Sequence, residues 1–234
     1  MRRRGKRGAR RTAVYITLGA VLVVVVVFVL VQTRGGPAKP VILYVNQGNG
    51  VVNGSNFGEM LNFASSHGFN TIFFQVYRAG VLLFTGNELR SFANQSHTQG
   101  LKIFFALYVT NSSQSVPSAM FGLGEDGISL DVSTLSLATQ ESLLDGLSSC
   151  RCESAVTTTD MNSPLKPDLL VLETYGVASQ QYIRHGIIAS VGVFATSGLA
   201  DYQSQFQYAL SNSDGVMVFD YAGLLKAGYQ AHSS

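Results

Sequence analysis

A complete strand–helix–strand unit is visible in residues 41–76, which read VILYVNQGNGVVNGSNFGEMLNFASSHGFNTIFFQV. The runs 41–45 and 71–76 are short, continuous and rich in Val, Ile and Phe, as expected for parallel strands that are buried on both faces. Between them, Asn56-Phe57-Gly58-Glu59 has the spacing of a capping box, and Gly68 is a suitable helix stop. The stretch therefore predicts a strand, a helix and a second, parallel strand.

The same pattern continues to the end of the chain. Further helical segments are expected over 87–99, 139–147 and 199–210. Eight apolar runs occur in all: 41–45, 71–76, 102–109, 128–130, 154–159, 169–172, 187–194 and 216–219. Eightfold strand–helix alternation predicts an α/β fold, a compact (β/α)8 TIM-type barrel over residues 41–234.

Two connections are short for this architecture, because a parallel crossover needs about a dozen residues. Only residues 161–167 separate the fifth run from the sixth, and residues 179–186 leave little room for a sixth helix. Either some helices are reduced to a turn or the barrel is incomplete, and an open doubly wound sheet is the alternative fold.

The N-terminal residues have a different composition from the rest of the chain. Of 16 Lys and Arg residues, seven lie within residues 1–11, which leaves nine basic against 14 acidic residues in the remainder, a net charge of −5. Residues 12–33 contain no charge and are long enough to cross a bilayer as a helix. We therefore expect a basic cytoplasmic tail (1–11), a transmembrane helix (12–33), a linker (34–40) and a barrel domain outside the cell.

Two alternatives to this membrane anchor are a cleaved secretory signal, which would have a shorter apolar run and a small-residue cleavage site, and a twin-Arg signal at Arg10-Arg11. With an anchor, the protein is a single-pass protein of the cell membrane. No nucleic-acid partner is expected, because the basic cluster is confined to one terminus and a hydrophobic run follows it.

Metal and cofactor sites are not expected. Cys150 and Cys152 have no second pair and fit neither a disulfide framework nor a zinc site, so a local disulfide and two loop thiols both remain open. The four histidines do not pair at metal-ligand spacing, and no phosphate-loop, dinucleotide or serine-hydrolase motif is present. Three N-x-[ST] triplets, at Asn53, Asn94 and Asn111, are compatible with export.

Carboxylates close three of the even-numbered runs, which end at Asp131, Glu173 and Asp220, while Gln75 takes the corresponding position in the second. Barrel enzymes work at the carboxyl ends of their strands, and one interior layer takes its side chains from alternate strands. We therefore expect these four residues at the mouth, with the three carboxylates as catalytic groups and Gln75 as a substrate-binding residue. One raised and one lowered carboxyl pKa would suit the acid and the nucleophile or base of glycoside hydrolysis.

Other residues at the same end of the barrel are candidates for substrate binding. Arg78 could hold one carboxylate ionised, and Asp160 closes the fifth run. Aromatic rings suit the apolar faces of sugars, although Tyr is also common wherever one end of a side chain is buried and the other is wet. The aromatic candidates are Tyr77, Tyr108, Tyr175 and Tyr221. For each acidic residue, capping of the following helix or bonding within the loop is the structural alternative.

Residues 67–80, HGFNTIFFQVYRAG, resemble the second-strand segment of a group of prokaryotic glycoside-hydrolase-like barrel proteins of unassigned activity, with the approximate pattern G-x-N-T-[IV]-x-x-Q-V-x-x-x-G. The resemblance covers about fifteen residues and implies a barrel with a glycosidase-like site. Barrels similar to the α-galactosidase type carry a nucleophile after strand four and an acid/base after strand six, which corresponds to Asp131 and Glu173. The commonest retaining type needs a carboxylate after strand seven, where this chain has Phe194-Ala195-Thr196.

Three functions follow as hypotheses. The first is a surface glycoside hydrolase or glycan-remodelling enzyme with carbohydrate as its substrate, in which Asp131 is the nucleophile or base, Glu173 the general acid and Asp220 an assisting group. The second is a catalytically inactive barrel that binds a glycan or a surface protein. The third, a barrel acting on a small phosphorylated metabolite, fits poorly with an outward location.

Overall fold

Eight short parallel strands form the inner wall of the fold in this computed structural model, which describes residues 38–48, 50–195 and 199–228. All eight strands lie in the compact unit Lys39–Ser234. The strands are β1 (Val41–Val45), β2 (Thr71–Arg78), β3 (Lys102–Tyr108), β4 (Gly127–Asp131), β5 (Glu153–Thr158), β6 (Leu169–Glu173), β7 (Ile188–Gly192) and β8 (Gly215–Phe219).

The sheet closes on itself. Each strand pairs in parallel with its neighbours in the chain, and β1 pairs with both β2 and β8, for example Tyr44 with Phe73 on one side and with Phe219 on the other. The predicted TIM-type barrel is therefore confirmed as an eight-stranded parallel α/β barrel, and the open-sheet alternative is wrong.

Five α-helices lie in the described part of the chain: α1 (Phe57–Ser66), α2 (Gly86–Thr98), α3 (Leu137–Gly146), α4 (Leu199–Asn212) and α5 (Tyr221–Lys226). The predicted stops after α1 and α2 are confirmed, because Gly68 and Gly100 adopt positive φ angles of 78° and 73° directly after these helices.

The capping box lies at a different helix from the one predicted. The Asn56 side chain makes no cap at α1; its amide oxygen accepts a hydrogen bond from the Asn53 backbone N–H instead. A capping box is present at α2, where Thr85 and Glu88 bond each other reciprocally.

The short connections are accounted for by missing helices. No α-helix joins β5 to β6 or β6 to β7; the first connection is a loop and the second contains the 3-10 turn Val177–Tyr182. The connection from β3 to β4 likewise contains only the 3-10 turn Ser118–Met120. The chain thus forms a complete barrel in which some helices are reduced, the first of the two alternatives given by the sequence.

Two apolar cores lie on opposite faces of the sheet. The barrel interior contains Ile42, Phe73, Phe104, Val171, Ile188 and Met217, all buried. The outer core lies between the strands and the helices and is larger. Burial of both strand faces explains why the strands read as continuous apolar runs.

One irregularity interrupts β2. Gln75 pairs with Ala106 and Tyr77 pairs with the next residue, Leu107, so Val76 is an extra residue, a β-bulge. Val76 and Tyr77 consequently both lie in the outer core, although they are consecutive in the strand. After the bulge, Arg78 lies opposite Tyr108. The bulge thus reverses the inward and outward positions at the end of β2.

We expect Gly127→Ala to destabilise the barrel by about 1–3 kcal/mol, because its methyl group would overpack the interior. A Cβ at Gly127 would overlap the buried Phe104 ring and lie 2.6 Å from the Glu153 carbonyl oxygen. Urea unfolding followed by far-UV circular dichroism measures the change. The matched control is Gly146→Ala, where a Cβ meets open space; equal unfolding midpoints for both variants would contradict close packing at Gly127.

Cys150 and Cys152 form a disulfide. This resolves the alternative left open by the sequence in favour of the bonded pair. The carboxylate of Glu125 and the two sulfurs lie within 4.8 Å of one another, but zinc is bound by cysteine thiolates and not by a disulfide.

The predicted tail, membrane span and most of the linker lie outside the described residues. Within the ranges the structure covers, there is no helix with the length and apolarity needed to cross a bilayer.

Candidate functional site at the barrel mouth

Asp131 is the last residue of β4, and the residue is only 8% exposed. Burial raises its pKa to about 6, and the hydroxyl and backbone N–H of Ser133 oppose that rise. The Ser133 hydroxyl donates to Asp131 Oδ1 over 3.3 Å. The surroundings of Asp131 therefore disfavour its charged form. With a pKa of about 6, the carboxyl is still mostly ionised at neutral pH.

Glu173 is the last residue of β6 and is half-buried. Its pKa is raised to about 7, first by burial and then by the negative charge of Asp131. The two carboxyls therefore interact electrostatically across the barrel mouth, and Glu173 is the one that holds its proton to higher pH.

Asp220 follows β8 and is the N-cap residue of α5. Its Oδ1 accepts a hydrogen bond of 2.9 Å from the Gly223 backbone N–H, so that it caps α5, and its own peptide bond to Phe219 is cis. Burial raises its pKa, and the bond to Gly223 opposes this. The capping alternative thus holds for this residue, which still contributes negative charge near Tyr175.

The electrostatics differ from the sequence expectation. The pKa values of Asp131, Glu173 and Asp220 are all raised, and burial is the largest cause in each case. No described carboxylate lies within ion-pairing distance of Arg78. The expected lowering of one carboxyl pKa by Arg78 is therefore wrong.

Tyr44 is a site residue that sequence reasoning missed. Its ring is buried in the barrel interior, and its pKa is raised well above the usual value by burial, then by the charge of Asp131, with smaller contributions from Tyr175 and Glu173. Gln75 is close enough to oppose this rise, but among the described residues no partner forms a hydrogen bond of good geometry with the hydroxyl. The detectable signal was its position two residues after Ile42, which is also inward.

Aromatic rings line one side of the mouth. Tyr175 packs edge-on against Phe194, with ring centroids 4.9 Å apart, and lies 6.2 Å from Phe219, which in turn lies 4.9 Å from Tyr44. Burial and then Glu173 raise the pKa of Tyr175, while the Ser190 hydroxyl bonds its oxygen over 3.4 Å. Phe194 is 65% exposed. The sequence expectation of an aromatic mouth named Tyr175 but missed both phenylalanines, because only tyrosines were considered.

Gln75 is buried, as expected for an interior position, but its side-chain oxygen already accepts a hydrogen bond from the protein. Gln75 Oε1 accepts a hydrogen bond of 2.9 Å from the Gln47 backbone N–H, which fixes the segment following β1. Within the described structure, Gln75 therefore holds the segment after β1 in place through this hydrogen bond.

Three predicted substrate-binding residues lie elsewhere. Tyr77 faces the outer core because of the bulge. Tyr221 begins α5 and packs its ring edge-on against Phe63, 5.1 Å away, also in the outer core. Asp160 is exposed and accepts a hydrogen bond from the Asn162 backbone N–H, the loop role given as its alternative.

Arg78 and Tyr108 are brought together. The guanidinium carbon of Arg78 lies 5.6 Å from the centroid of the Tyr108 ring, a cation–π contact, and Nη1 reaches Asn46 Oδ1 at 3.5 Å. Tyr108 lies opposite Asp131 in the strand register. Both residues are therefore on the same edge of the barrel as the carboxyls.

Comparison with known proteins identifies relatives in fold only. No protein-family model matches the chain, and a search of curated proteins finds no match. Similar solved structures include an uncharacterized B. cereus protein (14% identity, TM-score 0.51, covering 83% of this chain and 65% of that one). A second is CpGH84B (6% identity, TM-score 0.53, covering 77% of this chain and 44% of that one). A third is a mutant of the Thermobaculum terrenum O-GlcNAc hydrolase (9% identity, TM-score 0.51, covering 83% of this chain and 60% of that one).

This chain spans less than two thirds of each of those proteins. At such low identity the likeness shows the barrel fold alone.

Proposed function

We propose that this barrel is a glycoside hydrolase or glycan-remodelling enzyme whose general acid is Glu173. The observation that carries the proposal is the pKa of Glu173, raised to about 7 by burial and by Asp131 at the barrel mouth. A general acid is most effective when its pKa lies near the working pH, because it is then protonated yet able to release its proton. Such an acid can protonate the leaving oxygen of a glycosidic bond.

Asp131 is the proposed nucleophile or base. With a pKa of about 6 it is largely ionised where Glu173 is still partly protonated, so the two residues can hold opposite protonation states between these values. That division of labour is what glycoside hydrolysis requires of a carboxyl pair. Asp220 assists through its negative charge, while its cap on α5 fixes its orientation.

The proposed sugar platform is the aromatic side of the mouth. Phe194 is exposed and rests edge-on against Tyr175, so its ring is held in place with apolar surface available. Flat apolar surface next to carboxyl groups suits a ligand with apolar ring faces and polar edges.

We also propose that the barrel lies outside the cell, held by the predicted membrane span. The uneven distribution of basic residues supports this orientation. The bonded Cys150–Cys152 pair is compatible with it, because disulfides persist in oxidising compartments.

A second candidate function is ligand binding without turnover. The observation that favours it is the local structural use of two carboxyls, Asp131 with Ser133 and Asp220 with Gly223. In that case the mouth holds a glycan or a surface protein but cleaves nothing.

The proposal is tested by incubating the full-length chain with bacterial cell-surface polysaccharides and with a panel of nitrophenyl glycosides, with released reducing ends and nitrophenol as readouts. Turnover that is lost in both Glu173→Gln and Asp131→Asn supports hydrolysis. Retained turnover in both variants contradicts the residue assignment. Saccharide binding without turnover on any substrate would instead favour the second candidate.

A further inference from the structure

Arg78 faces the barrel mouth because of the bulge in β2. Without the extra residue Val76, strict alternation after Gln75 would turn Tyr77 inward and Arg78 outward. The observed register places Tyr77 opposite Leu107, an outer-core residue, and Arg78 opposite Tyr108. Bulges at barrel rims re-aim side chains near active sites, and here the re-aimed side chain is a cation.

The backbone around Arg78 is held by a tight turn. Ala79 and Gly80 have positive φ angles of 48° and 95°, and the chain then returns as the two-residue antiparallel strand Val81–Leu82, in which Val81 pairs with Arg78. A positive φ is costly for alanine and persists only where the surrounding structure requires it. The Ala79 N–H also donates to the Tyr108 carbonyl over 3.0 Å.

The guanidinium group is positioned on three sides. It lies over the Tyr108 ring, contacts Asn46 Oδ1 and occupies the space that a Cβ at Gly48 would fill. No carboxylate oxygen of the described residues lies within 4.0 Å of it. Arg78 is therefore an oriented cation whose charge is not neutralised by a described acidic group.

Arg78 is also close to the proposed catalytic carboxyls. It pairs with Tyr108, which pairs with Asp131, so two strand spacings separate Arg78 from Asp131. Two spacings amount to about 10 Å between Cα atoms. A short saccharide can span that distance while one of its residues lies at the carboxyls.

We propose that Arg78 binds an anionic substituent, a carboxylate or a sulfate ester, of the saccharide that occupies the mouth. The substrate class of the site is then an acidic glycan. This inference rests on the proposed function, because it assumes that the mouth receives a saccharide. Arginine suits the role, since its planar fork of donors matches the oxygen pairs of carboxylate and sulfate groups.

The test is binding of small probes to the full-length chain, measured by ligand-observed NMR titration. The probes are methyl glucuronide and glucose 6-sulfate, with methyl glucoside and glucose as their neutral counterparts. At least one anionic probe is expected to bind about 10–100-fold more tightly than its counterpart, the range for one charge-assisted interaction. Preference for the glucuronide identifies a carboxylate site, and preference for the sulfate a sulfate site.

Arg78→Gln is expected to remove this preference while neutral probes bind as before, and Arg78→Lys to retain part of it. The control is Arg90→Gln, the same change at an exposed position on α2, which should leave the preference intact. Circular dichroism verifies that each variant is folded.

The inference is overturned if neither anionic probe binds more tightly than its neutral counterpart, or if the preference survives in folded Arg78→Gln. Its failure is distinguishable from failure of the proposed function. Hydrolysis of neutral glycosides that is insensitive to Arg78→Gln would overturn only the anionic substrate class. Arg78-dependent binding without turnover would overturn only hydrolysis.

Discussion

Glu173→Gln is expected to lower kcat/KM by about 10²–10⁴-fold on any glycoside that the protein cleaves, which is the usual contribution of general acid–base catalysis. Glutamine preserves the size and hydrogen-bonding shape of the side chain but cannot supply a proton. Aryl glycosides with good leaving groups should be affected less than natural glycans, because their departure needs less protonation. Steady-state kinetics on both substrate types measures the difference.

The pH profile gives an independent check of the same residue. The proposed mechanism requires Asp131 ionised and Glu173 protonated, so kcat/KM should rise through about pH 6 and fall through about pH 7. The matched control is Glu141→Gln, an exposed position on α3, which should leave both limbs unchanged. A Glu173→Gln variant that keeps the alkaline limb would show that another group is the acid.

Asp131→Asn is expected to stabilise the folded protein at pH 8 by about 2–3 kcal/mol, the equivalent of a pKa raised from 3.8 to about 6. The folded state holds this proton more tightly than the unfolded state does. Wild-type stability attributable to Asp131 is therefore fully present below about pH 4 and is lost as the pH rises through about 6. Asparagine does not ionise, so the variant avoids that loss.

Urea unfolding of wild type and variant at pH 4 and pH 8 measures this effect. The difference in unfolding free energy should be large at pH 8 and close to zero at pH 4. Asp145→Asn, an exposed position on α3, controls for the change of residue type. A variant that is less stable than wild type at pH 8 would mean that the carboxylate of Asp131 is needed for folding.

Much of the barrel could be predicted from the sequence, because strands buried on both faces leave uninterrupted apolar runs. The positions of Asp131 and Glu173 at the ends of such runs were equally readable, and the structure adds the burial that raises their pKa values. What a linear pattern does not contain is the depth at which each side chain lies. The sequence alone therefore does not show that burial is the main cause of the raised pKa values of Asp131 and Glu173.

The errors have physical causes that involve residues distant in the chain. Tyr77 was expected at the mouth because it stands at the end of a strand, but a bulge that is visible only in the pairing with β3 turns it to the outer core. Tyr221 was expected there because it follows a strand end, but α5 begins at that residue and turns its ring toward Phe63. Tyr44 was missed because its inward position follows from alternation with Ile42, and the sequence of β1 does not show which way Ile42 itself faces.

The extra residue in β2 makes the chemical character of the rim depend on chain length as well as on residue identity. Side chains in a strand alternate with a period of two, so a one-residue shift exchanges the faces for every later position. A related chain with the same residues but one fewer between Gln75 and Tyr77 would present a neutral phenol to the mouth and turn the cation away. An alignment that scores only substitutions would count the two rims as identical, so ligand preference among related barrels should be compared by strand register.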